Sequence, residues 1–343
     1  MVPRRSVGWE RMRAFALSLP TDLRDGFARG RDTPVRFPER IPEIVGVGMG
    51  GSAIALDLAA VLLQHETPVR FRTLRSPKLP PSVSRESLVL LSSYSGETWE
   101  TLAAYAEAGR RGARRIVLAS GGELARRAIR DRVPHLTVPA GRPPRATVGH
   151  QLGLLLGLFD STFPQSNDDR IARIADHLVS AVPAIAGTRG LAHRLARRVG
   201  RRWPVVVASA PLGPVARRWK TQVEENAKRL AFFDEAPELL HNSLVGVDGT
   251  SAAQGRSLAY VFLQWEGSVP KIRRGLDFLA RIARSHGFEV IPVSFHSPDL
   301  LETIVEATAV GDHFSLSLAA ADGVDPYPVD VIQALKRALA RTR

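Results

Sequence analysis

The sequence predicts an α/β protein with a doubly wound architecture, in which two domains each contain a parallel sheet flanked by helices. Short apolar runs typical of buried strands alternate with segments of helical periodicity, the pattern of right-handed βαβ units. This alternation occurs on both sides of a polar, proline-containing segment at residues 164–169. The length of 343 residues also accommodates about two domains of ordinary size.

The apolar runs give the strands, and the amphipathic stretches give the helices. In the first half, strands are predicted at 44–47, 69–71, 88–92, 115–118 and 135–138, and helices at 52–64, 98–112, 122–129 and 148–159. In the second half, strands are predicted at 204–209, 258–264 and 289–293, and helices at 215–232, 272–286, 299–311 and from about 329.

These elements divide the chain into three parts. Residues 1–30 form a helical lead-in, which is interrupted at Pro20 because proline does not fit a helix interior. Residues 31–165 form the first domain, and residues 166–343 form the second. The two halves are similar in architecture, without a clear repeat of residues.

Composition excludes several classes of protein. Hydrophobic residues make up 44% and charged residues 24%, a globular balance that argues against disorder. No uncharged apolar run approaches the roughly 18 residues of a membrane span, and the first residues lack the apolar stretch of a secretory signal. We therefore expect a cytoplasmic protein. The absence of cysteine excludes disulfides, thiolate nucleophiles and cysteine metal sites.

The formal charge of +13 raises the question of an anionic partner. It arises from 42 Arg and 5 Lys, and the Arg is scattered in pairs rather than gathered in one basic block. Genome composition or a heat-adapted surface explains such a distribution as readily as a ligand does. We therefore expect no nucleic-acid partner.

A glycine-rich turn follows the first predicted strand, with Gly46, Gly48, Gly50, Gly51 and Ser52 leading into a helix. Glycines let the backbone approach a ligand, and the start of a helix favours an anion. The spacing also fits a dinucleotide fingerprint, but the next strand ends in basic residues without the expected carboxylate. The missing carboxylate weakens the case for NAD binding and leaves NADP binding only marginally possible. A P-loop is excluded because no lysine follows the glycines.

A second hydroxyl-rich turn follows the strand at 88–92. Ser93 and Ser95 share one face if the chain is still extended, Gly96 permits a turn, and Thr98 lies at the start of the next helix. An ordinary helix cap is the simpler interpretation of this motif alone. Beside the glycine-rich turn, however, the two motifs favour a site for one phosphate group of a small molecule.

The segments GMGGSAIALD and SYSGETWETL resemble the first sugar isomerase (SIS) domain of the bifunctional phosphoglucose/phosphomannose isomerase family. The resemblance continues, in the right order, through PAGRPPRA at 139–146, EENAKRLAFFDEAPELLHN at 224–242 and the final VDVIQALKRAL. It implies two SIS domains and the reversible conversion of fructose 6-phosphate to glucose 6-phosphate, with mannose 6-phosphate usually accepted too.

The resemblance also implies roles for individual residues. The phosphate would be held by Gly50, Gly51, Ser52, Ser93, Ser95 and Thr98. Arg145 would stabilise the intermediate, Glu225 would be the base, and His241 and Lys336 would serve ring opening. The family further implies a homodimer with its active site near the subunit interface and His241 contributed across it, with no cofactor and no metal.

Isomerisation chemistry requires such groups independently. A carboxylate moves a proton between carbons 2 and 1 of the open sugar, a fixed arginine stabilises the enediolate, and a histidine can help to open the ring near neutral pH.

Each of these assignments has a plainer alternative. Glu225 lies roughly 200° around its helix from Val223, away from the stripe formed by Trp219, Val223, Ala227 and Leu230. It would then pair with Arg229, as Glu224 would with Lys228. His241 would be a satisfied loop histidine. Lys336 is predicted near the buried margin of the last helix, where it either snorkels or functions.

Some residues depart from the family pattern. Glu97 places a carboxylate beside the predicted phosphate site, where asparagine is usual in the family. The other departures are Leu56, His150 and Tyr327. The alternatives are a related phosphosugar isomerase, a SIS protein that binds a sugar phosphate without turnover, and a basic nucleic-acid regulator. The regulator is disfavoured because no helix-turn-helix is evident, and a glutamine-dependent synthase because it needs a cysteine.

Overall fold

The computed structural model describes residues 6–35, 43–163 and 166–340. The strands are β1 Ile44–Gly48, β2 Phe71–Leu74, β3 Leu88–Ser92, β4 Arg114–Ala119, β5 His135–Thr137, β6 Trp203–Ser209, β7 Phe232–Ala236, β8 Leu258–Trp265 and β9 Glu289–Phe295. The helices are α1 Val7–Leu17, α2 Leu19–Arg31, α3 Gly50–Glu66, α4 Trp99–Arg110, α5 Gly122–Arg130, α6 Val148–Leu158, α7 Asp168–Ala186, α8 Leu191–Val199, α9 Gly213–Gln222, α10 Ser243–Asp248, α11 Ala252–Gly255, α12 Pro270–Ser285, α13 Leu300–Asp322 and α14 Asp330–Ala340.

The strands form two parallel sheets, which confirms the predicted fold class. The first sheet has the order β2-β1-β3-β4-β5, and the second has the order β7-β6-β8-β9. Every residue of β1 and β3 is buried, as expected for central strands covered on both faces. No helix within the described ranges has the length and apolar character that crossing a bilayer requires.

The chain divides into two compact units. The first unit contains the first sheet and comprises residues 17–182 and 298–306. The second unit contains the second sheet and comprises the chain up to residue 16, residues 183–297 and the chain from 307 onward. Both units are discontinuous in sequence, whereas the predicted domains are continuous ranges.

Arg170 holds the short returning segment of the first unit. Its guanidinium on α7 pairs with Glu66 on α3 and with Asp299, each at 2.7 Å. Burial alone would raise the pKa of Asp299, but hydrogen bonds from Arg170 and the charge of that guanidinium outweigh burial and hold the pKa below its usual value. The ion pairs therefore fasten residue 299 to two helices of the same unit.

The prediction of one helix over 215–232 is wrong. The α-helical hydrogen bonding of α9 ends at Gln222, a π-helical turn spans Val223–Ala227, and Lys228 takes a left-handed conformation with φ of 55°. Strand β7 then begins at Phe232 and pairs in parallel with β6. Residues EENAK favour a helix locally, so pairing with β6 and the contacts of Lys228 override that preference.

Other elements also differ from the prediction. Helices α7, α8, α10 and α11 have no counterpart in it. Strand β2 begins at Phe71 rather than at residue 69, and α13 continues to Asp322 rather than ending near residue 311. Residues 164 and 165 of the predicted boundary segment lie outside the described residues. The lead-in does break near Pro20, but at Ser18, two residues earlier, because Pro20 occupies the first turn of α2, where its missing N–H costs nothing.

Helices α2 and α6 of the first unit pack with their backbones in close approach. Glycines recur every four residues on both, at 26 and 30 on α2 and at 149, 153 and 157 on α6. A Cβ atom at Gly153 would lie 2.2 Å from the carbonyl oxygen of Leu23, and one at Gly157 would lie 2.1 Å from that of Phe27. Only glycine permits this packing, which positions the loop that precedes α6.

We predict that Gly153→Ala lowers the free energy of unfolding by about 3 kcal/mol, because the added methyl group meets backbone rather than a movable side chain. Gly246→Ala on α10 is the matched control, since its Cβ would meet no atom within 4 Å. That change should leave stability unchanged or raise it by up to about 1 kcal/mol. Urea unfolding measures both variants, and equal stabilities would contradict the close packing.

Candidate active site

The glycine-rich turn leads from the carboxyl end of β1 into the amino end of α3. Helix α3 begins at Gly50, whose φ is 50°, a value in the left-handed region that glycine adopts without strain. Met49 occupies the N-cap position, and no side chain caps the helix. The start of α3 is therefore an amino end at which backbone N–H groups favour an anion.

The hydroxyl-rich turn follows β3. The amide of Gly96 donates to the carbonyl of Ser93 at 3.0 Å, and Gly96 has a φ of 69°, so the chain turns here as predicted. Ser93 Oγ donates to Thr98 Oγ1 at 2.9 Å, and Thr98 is the N-cap residue of α4. These two hydroxyl groups therefore lie together at the end of β3.

The two turns are adjacent because β1 pairs with β3. Gly48 lies opposite Ser92 in the register of the two strands. Beyond them, Ser52 Oγ accepts a hydrogen bond from the amide of Tyr94 at 3.1 Å. This bond joins the start of α3 to the hydroxyl-rich turn, so the two predicted phosphate segments converge at one edge of the sheet.

Arg145 lies in a third segment that reaches the same place. It belongs to a 3₁₀ turn, Pro144–Ala146, and is only 2% exposed. A Cβ atom at Gly51 would lie 3.0 Å from the amide nitrogen of Arg145, so the glycine-rich turn and this turn are in backbone contact. The structure thus brings Arg145 beside the start of α3.

A chain of buried hydrogen bonds supports the Arg145 turn. Ser92 Oγ donates to Gln151 Oε1 at 3.2 Å, Gln151 Nε2 donates to Thr147 Oγ1 at 2.7 Å, and Thr147 Oγ1 donates to the carbonyl of Pro144 at 2.8 Å. These side chains link the end of β3 to the turn, which restricts the movement of Arg145.

The rest of this loop is held by Tyr94 and Asp22. Tyr94 Oη donates to the carbonyl of Pro139 at 3.3 Å and accepts from the amide of Arg142 at 3.1 Å. The Arg142 guanidinium pairs with the buried Asp22 of α2, and His150 Nδ1 lies 3.4 Å from the same carboxyl group. The unusual His150 therefore lies against the carboxyl group that holds the loop.

The structure also shows where the Glu97 side chain points. Its Oε1 accepts a hydrogen bond from the amide of Glu123 at 2.9 Å, in the first turn of α5, and lies 3.7 Å from Arg126. The carboxylate is thus turned toward the start of α5. Its charge is offset there by the amino end of that helix and by the guanidinium.

The remaining predicted residues belong to the second unit. Glu225 is half-buried in the π-helical turn, and the side chains of Trp219, Val223 and Ala227 are buried, as the predicted stripe requires. Leu230 is 60% exposed because the helix has already ended.

The expected ion pairs around Glu225 are wrong. Arg229 donates to both oxygens of Asp322 at 2.7 Å instead of pairing with Glu225. Glu224 pairs with Lys220 at 2.6 Å rather than with Lys228. The left-handed Lys228 interrupts the helical spacing on which both expected pairs depended.

His241 and Lys336 are exposed. His241 ends a 3₁₀ turn, Glu238–His241, and Lys336 lies on α14. The expectation that Lys336 lies near a buried margin is wrong. The apolar residues of α14 are exposed as well, including Leu335 at 57%. Helix α14 has an apolar face, but the rest of the described chain does not cover it.

Comparison with known proteins identifies the family. A family model described as the bacterial phospho-glucose isomerase C-terminal SIS domain matches residues 188–339. The bifunctional phosphoglucose/phosphomannose isomerase of Caldicellulosiruptor bescii is 30% identical over 333 residues, which cover 95% of this chain and 98% of that protein. This chain belongs to the bifunctional phosphoglucose/phosphomannose isomerase family. The resemblance carried by the sequence motifs is confirmed.

The chain is also similar to two proteins that carry other names. D-glucosamine-6-phosphate 4-epimerase of Sulfolobus acidocaldarius is 32% identical over 219 residues, or 63% of this chain and 67% of that protein. The C-terminal domain of glucosamine-fructose-6-phosphate aminotransferase from Francisella tularensis superposes with a TM-score of 0.69 at 14% identity, covering 91% of this chain and 96% of that one. Because the sequence identity is low, this structural match supports the fold alone.

The sequence did not predict the residues whose hydrogen bonds hold the loop at 139–142 and the Arg145 turn in place. Tyr94 lies inside the SYSGET motif, yet its hydroxyl group serves the loop at 139–142. Gln151 and Thr147 are four residues apart on one helix face, which was an available signal for a hydrogen-bonded pair. Their connection to Ser92 depends on the tertiary fold.

We predict that Ser95→Ala weakens the binding of inorganic phosphate roughly tenfold, because the hydroxyl group expected to donate to the phosphate is lost. Glu97→Gln should change the affinity by less than about twofold, since its side chain is turned toward α5 and the amide oxygen still accepts from Glu123. Calorimetric titration with phosphate measures both. A marked gain of affinity in Glu97→Gln would show that the carboxylate opposes the ligand.

Proposed function

We propose that this protein catalyses the reversible isomerisation of glucose 6-phosphate and mannose 6-phosphate to fructose 6-phosphate. The convergence of the Ser52, Ser93 and Arg145 segments carries the proposal. In the first unit these segments lie close together, their groups are mostly uncharged, and the buried Arg145 belongs to one of them, which supports a site for an anion. Such a site suits one phosphate group on a small molecule, and family membership favours a hexose 6-phosphate.

The phosphate would be bound by the backbone of Gly50 and Gly51 and by nearby hydroxyl groups, which belong to Ser52, Ser93, Ser95 and Thr98. An uncharged site of this kind binds the phosphate through hydrogen bonds and the positive end of α3. It fixes one end of the sugar and leaves the carbonyl end for the reaction, so that binding energy orients the reacting carbons.

Glu225 would remove the proton from carbon 2 of the open aldose. The electron pair of that C–H bond forms the double bond between carbons 1 and 2, and the carbonyl electron pair moves onto oxygen 1. Arg145 would stabilise the resulting enediolate. Glu225 would then return the proton to carbon 1, while the hydroxyl proton of oxygen 2 passes to oxygen 1 and the ketone forms at carbon 2.

Opening the sugar ring needs a base for the hydroxyl group on the anomeric carbon and an acid for the ring oxygen. His241 and Lys336 would share this work. We further propose a homodimer in which His241 acts in the partner's site. The exposure of His241 and the uncovered apolar face of α14 are consistent with that arrangement, and a monomer in sedimentation experiments would contradict it.

The proposal includes a cytoplasmic enzyme of carbohydrate metabolism that requires neither a cofactor nor a metal. A second candidate is epimerisation at carbon 4 of an amino sugar phosphate, because one relative at 32% identity is named for that reaction. Incubation with glucosamine 6-phosphate, followed by NMR of the product, separates the two candidates. Epimer formation without isomerisation of fructose 6-phosphate would favour the second.

Coupled assays of the purified protein on fructose 6-phosphate and mannose 6-phosphate, with EDTA present, test the proposed function. We expect turnover that survives the chelator. Glu225→Gln should lose about 10²–10⁴-fold in kcat, the usual contribution of a general base, while phosphate-ester binding persists.

Glu224→Gln is the matched control, because Glu224 pairs with Lys220 and has no assigned role in the reaction. It should retain wild-type turnover within about twofold, since a surface ion pair contributes little. Absence of turnover on either sugar would contradict the proposed function and favour a protein that binds sugar phosphates without reaction. A requirement for metal would contradict the role of Glu225.

A further inference from the structure

The backbone changes its helical form at Glu225. The π-helical turn Val223–Ala227 contains this residue, and Lys228 follows it with a φ of 55°. A π turn is rare and frequently occurs at a functional site, and a left-handed conformation costs a non-glycine residue roughly 1–2 kcal/mol. Both features need support from other parts of the fold.

Lys228 supplies part of that support. Its Nζ donates to the carbonyl oxygen of Glu225 and, at 3.4 Å, to that of Pro326. The ammonium group thus satisfies a carbonyl that the π turn leaves without a regular helical partner. It also connects the turn to the segment that precedes α14.

Helix α13 supplies the larger part through Asp312. One carboxylate oxygen accepts from Arg218 Nη2 at 2.7 Å, and the other accepts from Gln222 Nε2, also at 2.7 Å. Arg218 is 1% exposed. Gln222 is the last residue of α9, so Asp312 fixes the point at which the π turn begins.

Ser315 fixes the other end of the turn. Its Oγ accepts a hydrogen bond from Asn226 Nδ2 at 2.9 Å and donates to the carbonyl oxygen of Asp312 at 2.7 Å. Asn226 is the residue after Glu225 and is almost fully buried. Asp312 and Ser315, one turn apart on α13, thus hold the residues on both sides of Glu225.

Tight packing sets the distance between the two helices. Trp219 Nε1 donates to the carbonyl oxygen of Ala307 at 2.8 Å, and a Cβ atom at Gly311 would lie 2.3 Å from that nitrogen. Burial lowers the pKa of His313 to about 4, so this imidazole is neutral at physiological pH. It therefore does not compete with Arg218 for the charge of Asp312.

Burying an ion pair is a poor way to gain stability. Desolvation of Arg218 and Asp312 offsets their attraction, and apolar residues of similar volume would often be as stabilising. The buried polar contacts instead specify one arrangement of the helix, since every partner must meet its hydrogen-bonding geometry. That arrangement fixes the backbone from which the Glu225 side chain extends.

We propose that Asp312 and Ser315 are positioning residues, which hold the π turn so that the Glu225 carboxylate points at the reacting carbons. The inference rests on the proposed function, in which Glu225 moves the proton. A misplacement of about 1 Å can cost on the order of 10²-fold in rate, so the effect should appear in kcat rather than in phosphate binding.

Ser315→Ala tests the inference, with Ser268→Ala as its matched control. Both serines are buried in the second unit, and Ser268 Oγ accepts from Ser209 at 2.9 Å, so each change removes buried side-chain hydrogen bonding. Ser315→Ala should lower kcat by at least about tenfold while KM stays within about twofold. Ser268→Ala should leave both constants within about twofold of wild type.

Further measurements separate positioning from loss of stability. The melting temperatures of the two variants should be similar, and Ser315→Thr, which keeps the hydroxyl group, should recover most of the lost kcat. Equal loss of kcat in Ser315→Ala and Ser268→Ala would show a structural effect and overturn the inference. Normal kcat in Ser315→Ala, with Glu225→Gln inactive, would overturn it and leave the proposed function intact.

Two other outcomes would test the claims on which this inference rests. Full turnover in Glu225→Gln would remove both the assignment of the base and the positioning inference. Lack of turnover by the wild-type protein on both sugars would overturn the proposed function itself, and with it the reason to position Glu225. Each result therefore identifies which claim has failed.

Discussion

In the first unit, β1 and β3 lie side by side with Gly48 opposite Ser92, and the surrounding site depends on this pairing. Parallel strands end at the same edge of a sheet, so the segments that follow both strands meet there. The hydrogen bond from the Tyr94 amide to Ser52 then fixes one segment against the other. The Arg145 turn completes the cluster through its backbone contact with Gly51.

Most charged residues of the chain are not the residues that are proposed to bind or react. Most of the 42 Arg residues carry no assigned role, and several form ion pairs within one unit, as Arg170 does with Asp299. The proposed phosphate site uses backbone amides and hydroxyl groups, and the buried Arg145 belongs to the turn beside it. The net charge of +13 was therefore a poor guide to the residues that bind and react.

Much of the first sheet was predictable, because buried strands such as 88–92 are apolar throughout and end in recognisable turns. The turn at Gly96 was predictable for the same reason, since its sequence matches the conformation that it must adopt. The direction of Glu97 was not predictable, because it depends on the start of α5, 26 residues further on.

The π turn at Glu225 is the clearest case of tertiary control. Its sequence favours an ordinary helix, and periodicity correctly predicted which side is buried. The change of helical form depends on Asp312 and Ser315, which lie about 90 residues away in sequence. No local pattern carries that information, so the expected partners of Glu224 and Glu225 were wrong although three residues of the predicted stripe are buried.

The account depends on proton transfer between carbons 1 and 2, and NMR of the reaction in D₂O tests that step most directly. With fructose 6-phosphate as substrate, we expect deuterium at carbon 2 of the aldose product and at carbon 1 of the recovered ketose, because a carboxylate base exchanges its proton with solvent. Glu225→Gln should incorporate none. Labelling that persists in Glu225→Gln would contradict the account, because the proton would then move through another base.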